Sequence, residues 1–532
     1  MKAIQALSVC AALVILFFAN RFVGMHQIGG FDSAPMIDLA WRLHQGQRAF
    51  TDFYTPYPPL FTWGAAIAFR VEGVSWQSLV DAGGVFYAVG TIAVYFVWKR
   101  ITAPILAAAL GLLAFTQGGL FHGFWWYSPV ALYCSLLFLG ILAVGKRRGF
   151  FSFGAANSSA ASSRAGWGFR AAVVLLSALL VLGKPNMTGP ALFFGFLQFM
   201  LPARLGGWNL WRQAVAFSVA ALALAVVASF VFQFNPISYV QALFSLSHRV
   251  SSPTIFMTGM PWSSTLQSSA VIALLLTVLG FFVFNGTRQF FADNSGAALW
   301  IFLGLFASFL GGFFLNGEFP ITSCPLLAGA LLFAAGPSFN KKQIGAIGLC
   351  FVIAAVQGEL MAAGRSRVWG AGDGQFFETN ASIVQTDPFF KGVVAGPRLT
   401  QFTADAAHAL RLVKPASVFF GPRVEFGYAQ FQKASPEGFP LWWDPLTAYP
   451  RNEKTRQAIL SRWESSHFDL IILDRVDNTY LPSPISEDIH DNYMPISNAI
   501  GAKEAGIFVS REWVARHQVK MPNGQFALAF PK

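Results

Sequence analysis

Residues 214–232 read AVAFSVAALALAVVASFVF, nineteen positions without a charge and apolar on every face of a helix. At ~1.5 Å per residue such a segment matches the roughly 30 Å hydrocarbon core of a bilayer. It has no polar face to offer water, so lipid is its natural solvent. The runs Ile4 to Phe18 and Ala171 to Gly183 have the same character. Across 532 residues the chain is 55% hydrophobic and 12% charged, against roughly a quarter charged in an ordinary soluble domain. These observations predict an α-helical polytopic membrane protein.

We place eleven spans near 4–22, 79–98, 101–117, 128–145, 171–187, 188–202, 214–232, 264–285, 298–315, 324–338 and 344–361. The fifth and sixth are divided at Lys184-Pro185-Asn186, read as a turn. The first run is read as an uncleaved helix rather than a signal peptide. Asn20, Arg21 and Phe22 stand where a small-x-small cleavage site would lie.

Loops that alternate in side should alternate in Lys and Arg content. One side receives thirteen: Lys2, Lys99, Arg100, Lys146, Arg147, Arg148, Arg164, Arg170, Arg204, Arg212, Arg288, Lys341 and Lys342. The other holds six: Arg21, Arg42, Arg48, Arg70, Lys184 and Arg249. An inside N-terminus then exports the loop at 23–78 and the tail at 362–532, to the periplasm if the membrane is a bacterial inner membrane. The division is thus a transmembrane domain over 1–361 and an exported domain over 362–532. In that tail, strand-like runs at Ala416 to Phe420 and Phe468 to Leu473 follow helix-like stretches at Thr403 to Leu412 and Asn452 to Ser465, which predicts a small α/β fold with a partly parallel sheet.

The net charge of +12 lies in short clusters between apolar runs, without a basic patch interleaved with exposed aromatics, and so argues against nucleic acid as a partner. Cys10, Cys134, Cys324 and Cys350 all lie in or beside apolar spans, which excludes a disulfide framework in the tail. No Cys/His cluster has structural-zinc spacing. Neither a Walker loop, a dinucleotide fingerprint nor a Ser/His/Asp order is present.

The loop at 23–78 is too long to be a tether. A helix from Ser33 to His44, capped by Ser33 or Asp32 and stopped at Gly46, is predicted to lie along the membrane surface. A second is predicted over 59–70, with Pro58 and Pro59 opening it.

Asp32, Ala40, Gly46, Asp52-Phe53 and Pro58-Pro59-Leu60 follow one another in this loop, and Lys184-Pro185-Asn186 follows later. This order resembles the polytopic glycosyltransferases of the GT-C fold, especially bacterial members that use lipid-linked sugars. The resemblance implies transfer of a sugar from a polyprenyl-phosphate donor to an outward-facing glycan, lipid or protein acceptor, with inversion.

Glycosyl transfer to a hydroxyl needs a base within reach of the acceptor proton. Asp32 is the candidate, since partial desolvation at the bilayer edge would raise its pKa toward the working range; the alternative is a helix cap. Asp38, six residues on, falls on another face of the helix and is a weaker candidate. Lys184 at a span end needs a partner or water, and a lipid phosphate would supply the first, snorkelling the second. Arg249 is a candidate for the same phosphate or for a solvated loop charge. Asp52, His122 and Glu318 are candidates for the sugar site, against readings as a turn residue, a member of an aromatic belt and an exposed loop acid. A divalent cation remains an open cofactor. Some members of the resembled family carry a metal-binding acid in the loop that here spans 118–127, and this chain has none there.

Trp125, Trp126 and Tyr127, and the tail run Phe439-Pro440-Leu441-Trp442-Trp443, are either sugar-stacking surfaces or, respectively, an interfacial belt and a core. Two other classes fit the same layout. A flippase would bind a lipid-linked substrate without chemistry, but would place polar groups near the midplane. A scaffold would act through its exported tail and be indifferent to Asp32.

Overall fold

Helix α1 spans Lys2–His26 and turns Ile4, Leu7, Val14, Ile15, Phe18 and Phe22 outward. Only an apolar surrounding accepts such a row without cost. In the computed structural model the described residues are 2–26, 33–120, 122–148, 164–183, 188, 191–192, 208–247, 328–329, 332, 344–345, 347–349, 382–443, 452–474, 481–520 and 526–528. Three helices there are long and apolar enough to cross a membrane: Ala3–His26, Trp76–Trp98 and Tyr127–Gly145. Val215–Val231 and Pro236–Ala242 are together as apolar but bent by 109°, the geometry of a broken span or a re-entrant pair. The chain is a multi-pass membrane protein.

The long first loop carries α2 (Ser33–His44) and α3 (Pro59–Glu72), followed by α4 (Trp76–Trp98). Next come α5 (Pro104–Ala114), running into a π-helical turn at Phe115–Leu120, and then α6 (Tyr127–Arg147), α7 (Arg164–Val181), α8 (Trp208–Val231) and α9 (Pro236–Ser247). The spans expected at 4–22, 79–98, 128–145 and 214–232 fall in α1, α4, α6 and α8. Those at 101–117 and 171–187 correspond to the shorter apolar helices Pro104–Leu120 and Gly168–Val181. The remaining five, near 188–202, 264–285, 298–315, 324–338 and 344–361, lie outside the described residues apart from isolated positions, and so does the proposed domain boundary.

Several polar groups inside the bundle reach partners across it, as a medium without water favours. Asn20 Nδ2 donates to the carbonyls of Val80 (3.3 Å) and Gly123 (3.0 Å). Tyr87 OH donates to Phe124 O at 2.7 Å and accepts from Trp126 N at 2.9 Å. Arg21 Nη1 lies 3.4 Å from Asp81 Oδ2, where Gln77 Nε2 also donates. Gly24 and Gly123 let two backbones meet: a Cβ on Gly24 would stand 2.0 Å from Gly123 O. These contacts tie α1, α4 and the 122–126 connection together.

The tail is the expected α/β unit. It contains β1 (Ser382–Ile383), β2 (Val394–Ala395), α10 (Pro397–Val413), β3 (Val418–Phe420), α11 (Phe426–Gln430), α12 (Glu453–Ser466), β4 (Leu470–Asp474), α13 (Ser483–Asn492), β5 (Tyr493–Pro495), β6 (Ala505–Ser510), α14 (Arg511–His517), β7 (Gln518–Lys520) and β8 (Phe526–Leu528). Its central sheet has the order β3-β4-β6-β5, with β3 parallel to β4 and the other pairings antiparallel. Every residue of β3 and β4 is buried, the pattern of strands covered on both faces. Asn452 caps α12 by accepting from Lys454 N at 2.9 Å.

Helix α2 begins and ends where its residues predict. Gly46 (φ +93°) stops it in a left-handed turn in which Gln47 N donates to Arg42 O and Gly46 N to Leu43 O, the paired bonds of a glycine C-cap. A Cβ at Gly46 would meet nothing within 4 Å, so Gly46→Ala carries only the backbone cost. We expect it to lower stability by about 1–2 kcal/mol, read as a small fall in melting temperature with the fold retained.

Helix α2, expected along the membrane surface, is covered by protein on both sides. Every residue from Ser33 to Arg42 is buried, because α2 packs on α3 from one side and on α11 of the tail from another. The reason lies in its sequence. Met36, Ile37, Leu39, Ala40 and Trp41 leave no broad polar face, and the charges that remain, Asp38 and Arg42, stand four apart and satisfy each other.

Candidate active site at the first loop and the tail

Asp38 is fully buried, and its Oδ2 accepts from Arg42 Nε at 2.8 Å. Its Oδ1 accepts from Ser435 Oγ of the tail at 2.5 Å. Arg42 Nη1 donates to Pro436 O at 2.7 Å, and the guanidinium stands 5.2 Å from the centre of the Phe53 ring. Burial holds the Asp38 carboxyl above the usual carboxylate range, outweighing Arg42 and Ser435, which pull it down.

Glu425, just before α11, is also buried, and its Oε2 has no hydrogen-bond partner among the described residues. Burial raises its pKa well above the ordinary value, against its own and Arg423's backbone N–H groups and the Arg423 charge, while Asp38 adds to the rise. A raised carboxyl binds its proton more tightly folded than unfolded, so its stabilisation is complete below the ordinary carboxylate pKa and is lost as pH rises through the folded value. Glu425→Gln should flatten the fall of thermal stability as pH rises above the ordinary carboxylate range, with little change below it. Melting curves across pH that superimpose for both proteins would refute this.

Beside this cluster the loop and the tail build an aromatic wall. Tyr57 lies 6.0 Å, ring centre to ring centre, from Trp442, 6.3 Å from Trp126 and 5.6 Å from Tyr127. Phe439 and Trp443 point the other way, into the tail core with Phe419 and Trp463. The tail run thus divides: Phe439 and Trp443 are core, whereas half-buried Trp442 faces the first loop. Pro58-Pro59-Leu60 starts α3 and meets the end of α7, where Leu60 N donates to Leu182 O at 3.1 Å. Tyr239 OH donates to Val181 O at 3.1 Å. The segment leading to Lys184 therefore lies against the Pro-Pro-Leu step.

Of the candidates from sequence, Asp32, Lys184, Arg249 and Glu318 lie outside the described residues. Asp52 is held by Arg48, whose Nη2 donates to Oδ1 at 3.0 Å and whose Nε and backbone N donate to Oδ2 at 3.2 and 2.8 Å. The Arg48 hydrogen bonds lower its pKa below the ordinary value. Oδ1 accepts only one of these bonds and the side chain is 22% exposed, so a sugar hydroxyl could donate to Asp52 with Arg48 still in place. His122 is buried and stacks on Trp126 with ring centres 5.5 Å apart. Among the described residues no group of three or more His, Cys, Asp or Glu side chains is placed to hold a metal. Sequence reasoning gave Asp38 little weight and missed Arg42, Glu425 and Ser435. The i,i+4 spacing of Asp38 and Arg42 was the available signal; nothing local marks Glu425 or Ser435.

No protein-family model and no curated protein sequence matches this chain. Solved structures do. ArnT from Cupriavidus metallidurans in the apo state superposes with a TM-score of 0.51 at 14% identity, over 95% of this chain and 98% of that one. The same protein bound to undecaprenyl phosphate gives 0.50 at 11% identity, over 96% and 98%. The Archaeoglobus fulgidus oligosaccharyltransferase in complex with zinc and sulfate gives 0.47 at 13% identity, over 98% of this chain and 73% of that one. At such identities the likeness is one of fold, and with the ArnT structures it runs from end to end. The chain has the GT-C fold, a polytopic helical domain joined to a mixed-sheet tail.

Proposed function

We propose that the protein is a membrane glycosyltransferase that takes a sugar from a polyprenyl-phosphate donor and places it, with inversion, on a glycan, lipid or protein acceptor. The observation that carries this reading is the end-to-end fold likeness to ArnT, which has been crystallised with undecaprenyl phosphate bound. The motif order of the first loop, which resembles the same fold family, supports it independently.

In the proposed reaction the acceptor hydroxyl oxygen attacks the anomeric carbon while the bond from that carbon to the phosphate oxygen breaks. Polyprenyl phosphate departs with the bonding electrons, and Asp32 takes the acceptor proton as general base. Lys184 and Arg249 are assigned to the lipid phosphate, where charge grows as the bond breaks. Asp52, His122 and Glu318 are assigned to the sugar, Asp52 through the lone pair its Arg48-held carboxylate leaves free. We place the tail and the first loop on the periplasmic side of a bacterial inner membrane, on the strength of the thirteen-to-six Lys and Arg asymmetry.

The test is to supply purified protein in nanodiscs with radiolabelled polyprenyl-phosphate sugars and membrane extracts as acceptor source. Labelled product is expected from at least one donor, and Lys184→Ala is expected to raise the donor KM by about tenfold or more, the loss of a charged hydrogen bond. Absence of product across pentose and hexose donors would overturn the reading.

A further inference from the structure

The tail segment Lys433–Gly438 follows α11 and joins no strand or helix. Its polar groups instead find partners on the first loop, on or just beyond α2. Trp41 Nε1 donates to Lys433 O, Gln47 Nε2 to Ser435 O and Arg42 Nη1 to Pro436 O, each at 2.7 Å. Ser435 returns a hydrogen bond from Oγ to Asp38 Oδ1, and Ser435 N donates to Gln45 Oε1 at 3.4 Å. Gly438 N donates to Asp52 O at 2.8 Å, and Leu441 N to Tyr54 O at 3.0 Å. The strap thus satisfies its backbone chiefly through the loop, and the loop places its buried charge against the strap.

A helix of twelve residues is a stiff rod of about 18 Å. Asp32 is the residue immediately before the first residue of this rod. Whatever fixes the rod fixes the point from which Asp32 extends.

We propose that the strap Lys433–Gly438 is a brace that sets the position of α2, with Asp38, Arg42 and Ser435 as positioning residues for the group at position 32. Its catalytic half rests on the reading of Asp32 as the base. The tail then acts in the chemistry without touching substrate. A displacement of about 1 Å in a catalytic group costs on the order of a hundredfold in rate, so a loosened brace lowers kcat before it affects donor binding.

The experiment uses the full chain in nanodiscs with Ser435→Ala, Gln47→Ala and Ser435→Thr, substitutions milder than removal of a buried charge. Hydrogen exchange of the amides in 33–44 is followed alongside kcat and donor KM. For Ser435→Ala and Gln47→Ala the brace predicts roughly five- to tenfold faster exchange in α2, the loss of one net hydrogen bond, with α4 and α6 unchanged. It also predicts a kcat lowered about ten- to a hundredfold, an unchanged donor KM, and recovery of both readouts in Ser435→Thr. Unchanged exchange in α2 would overturn the brace. Faster exchange with unchanged kcat would overturn its catalytic role. Should the wild-type protein transfer no sugar while exchange in α2 still responds, the transferase reading falls and the brace stands as the device that holds α2.

Discussion

Asp32→Asn is expected to lower sugar transfer by about two to four orders of magnitude, the usual contribution of a positioned general base, with yield and melting temperature close to wild type. Asparagine keeps the shape and can still accept a hydrogen bond from the start of α2, so a helix cap survives the substitution at a cost of at most a few tenths of a kcal/mol. What it loses is the ability to take a proton. The two readings of Asp32 therefore separate on one variant: a cap predicts near-normal transfer, and a base predicts its loss. Donor binding, followed by the shift in melting temperature on adding polyprenyl phosphate, should persist in the variant, since Lys184 and Arg249 are assigned to that group.

Arg42→Ala is expected to lower stability by about 3–5 kcal/mol, the cost of leaving a buried carboxylate without its cation. Asp38 would keep Ser435 Oγ and lose the 2.8 Å Arg42 hydrogen bond, and Pro436 O would lose its donor. Chemical unfolding of the solubilised protein reads the loss. Replacing both members, Asp38→Asn with Arg42→Met, should recover a substantial part of it, because no charge is then left alone in the interior. A double variant as unstable as Arg42→Ala would assign the loss to packing instead.

The helices of the first loop are legible in the residues that bound them. Ser33 and Gly46 mark α2, and Pro58-Pro59 marks the start of α3, since capping and proline preferences are local properties of the chain. Two of the tail strands, β3 and β4, are legible for a related reason: the short apolar runs at 418–420 and 470–473, each after a helix-like stretch, describe covered strands, whereas the other tail strands are not predicted. The environment of α2 is not legible, because an apolar helix beside a membrane has the same composition whether lipid or protein covers it. The 2.5 Å contact of Ser435 with Asp38 joins residues 397 positions apart, and nothing in either neighbourhood announces it. The division of Phe439, Trp442 and Trp443 between core and loop is likewise set by the course of the strap. Glu425 is hidden for the opposite reason: an acid before a short helix reads as a surface residue, and only the assembled fold shows it buried.

A transferase breaks the bond between the anomeric carbon and the phosphate, whereas a flippase or a scaffold leaves that bond intact. The most direct measurement is therefore the stoichiometry of polyprenyl phosphate released to sugar transferred, by purified wild-type protein given donor and acceptor together. Equal amounts of both are expected, dependent on acceptor and abolished in Asp32→Asn. Donor recovered intact, or moved across the bilayer with its sugar still attached, would contradict it.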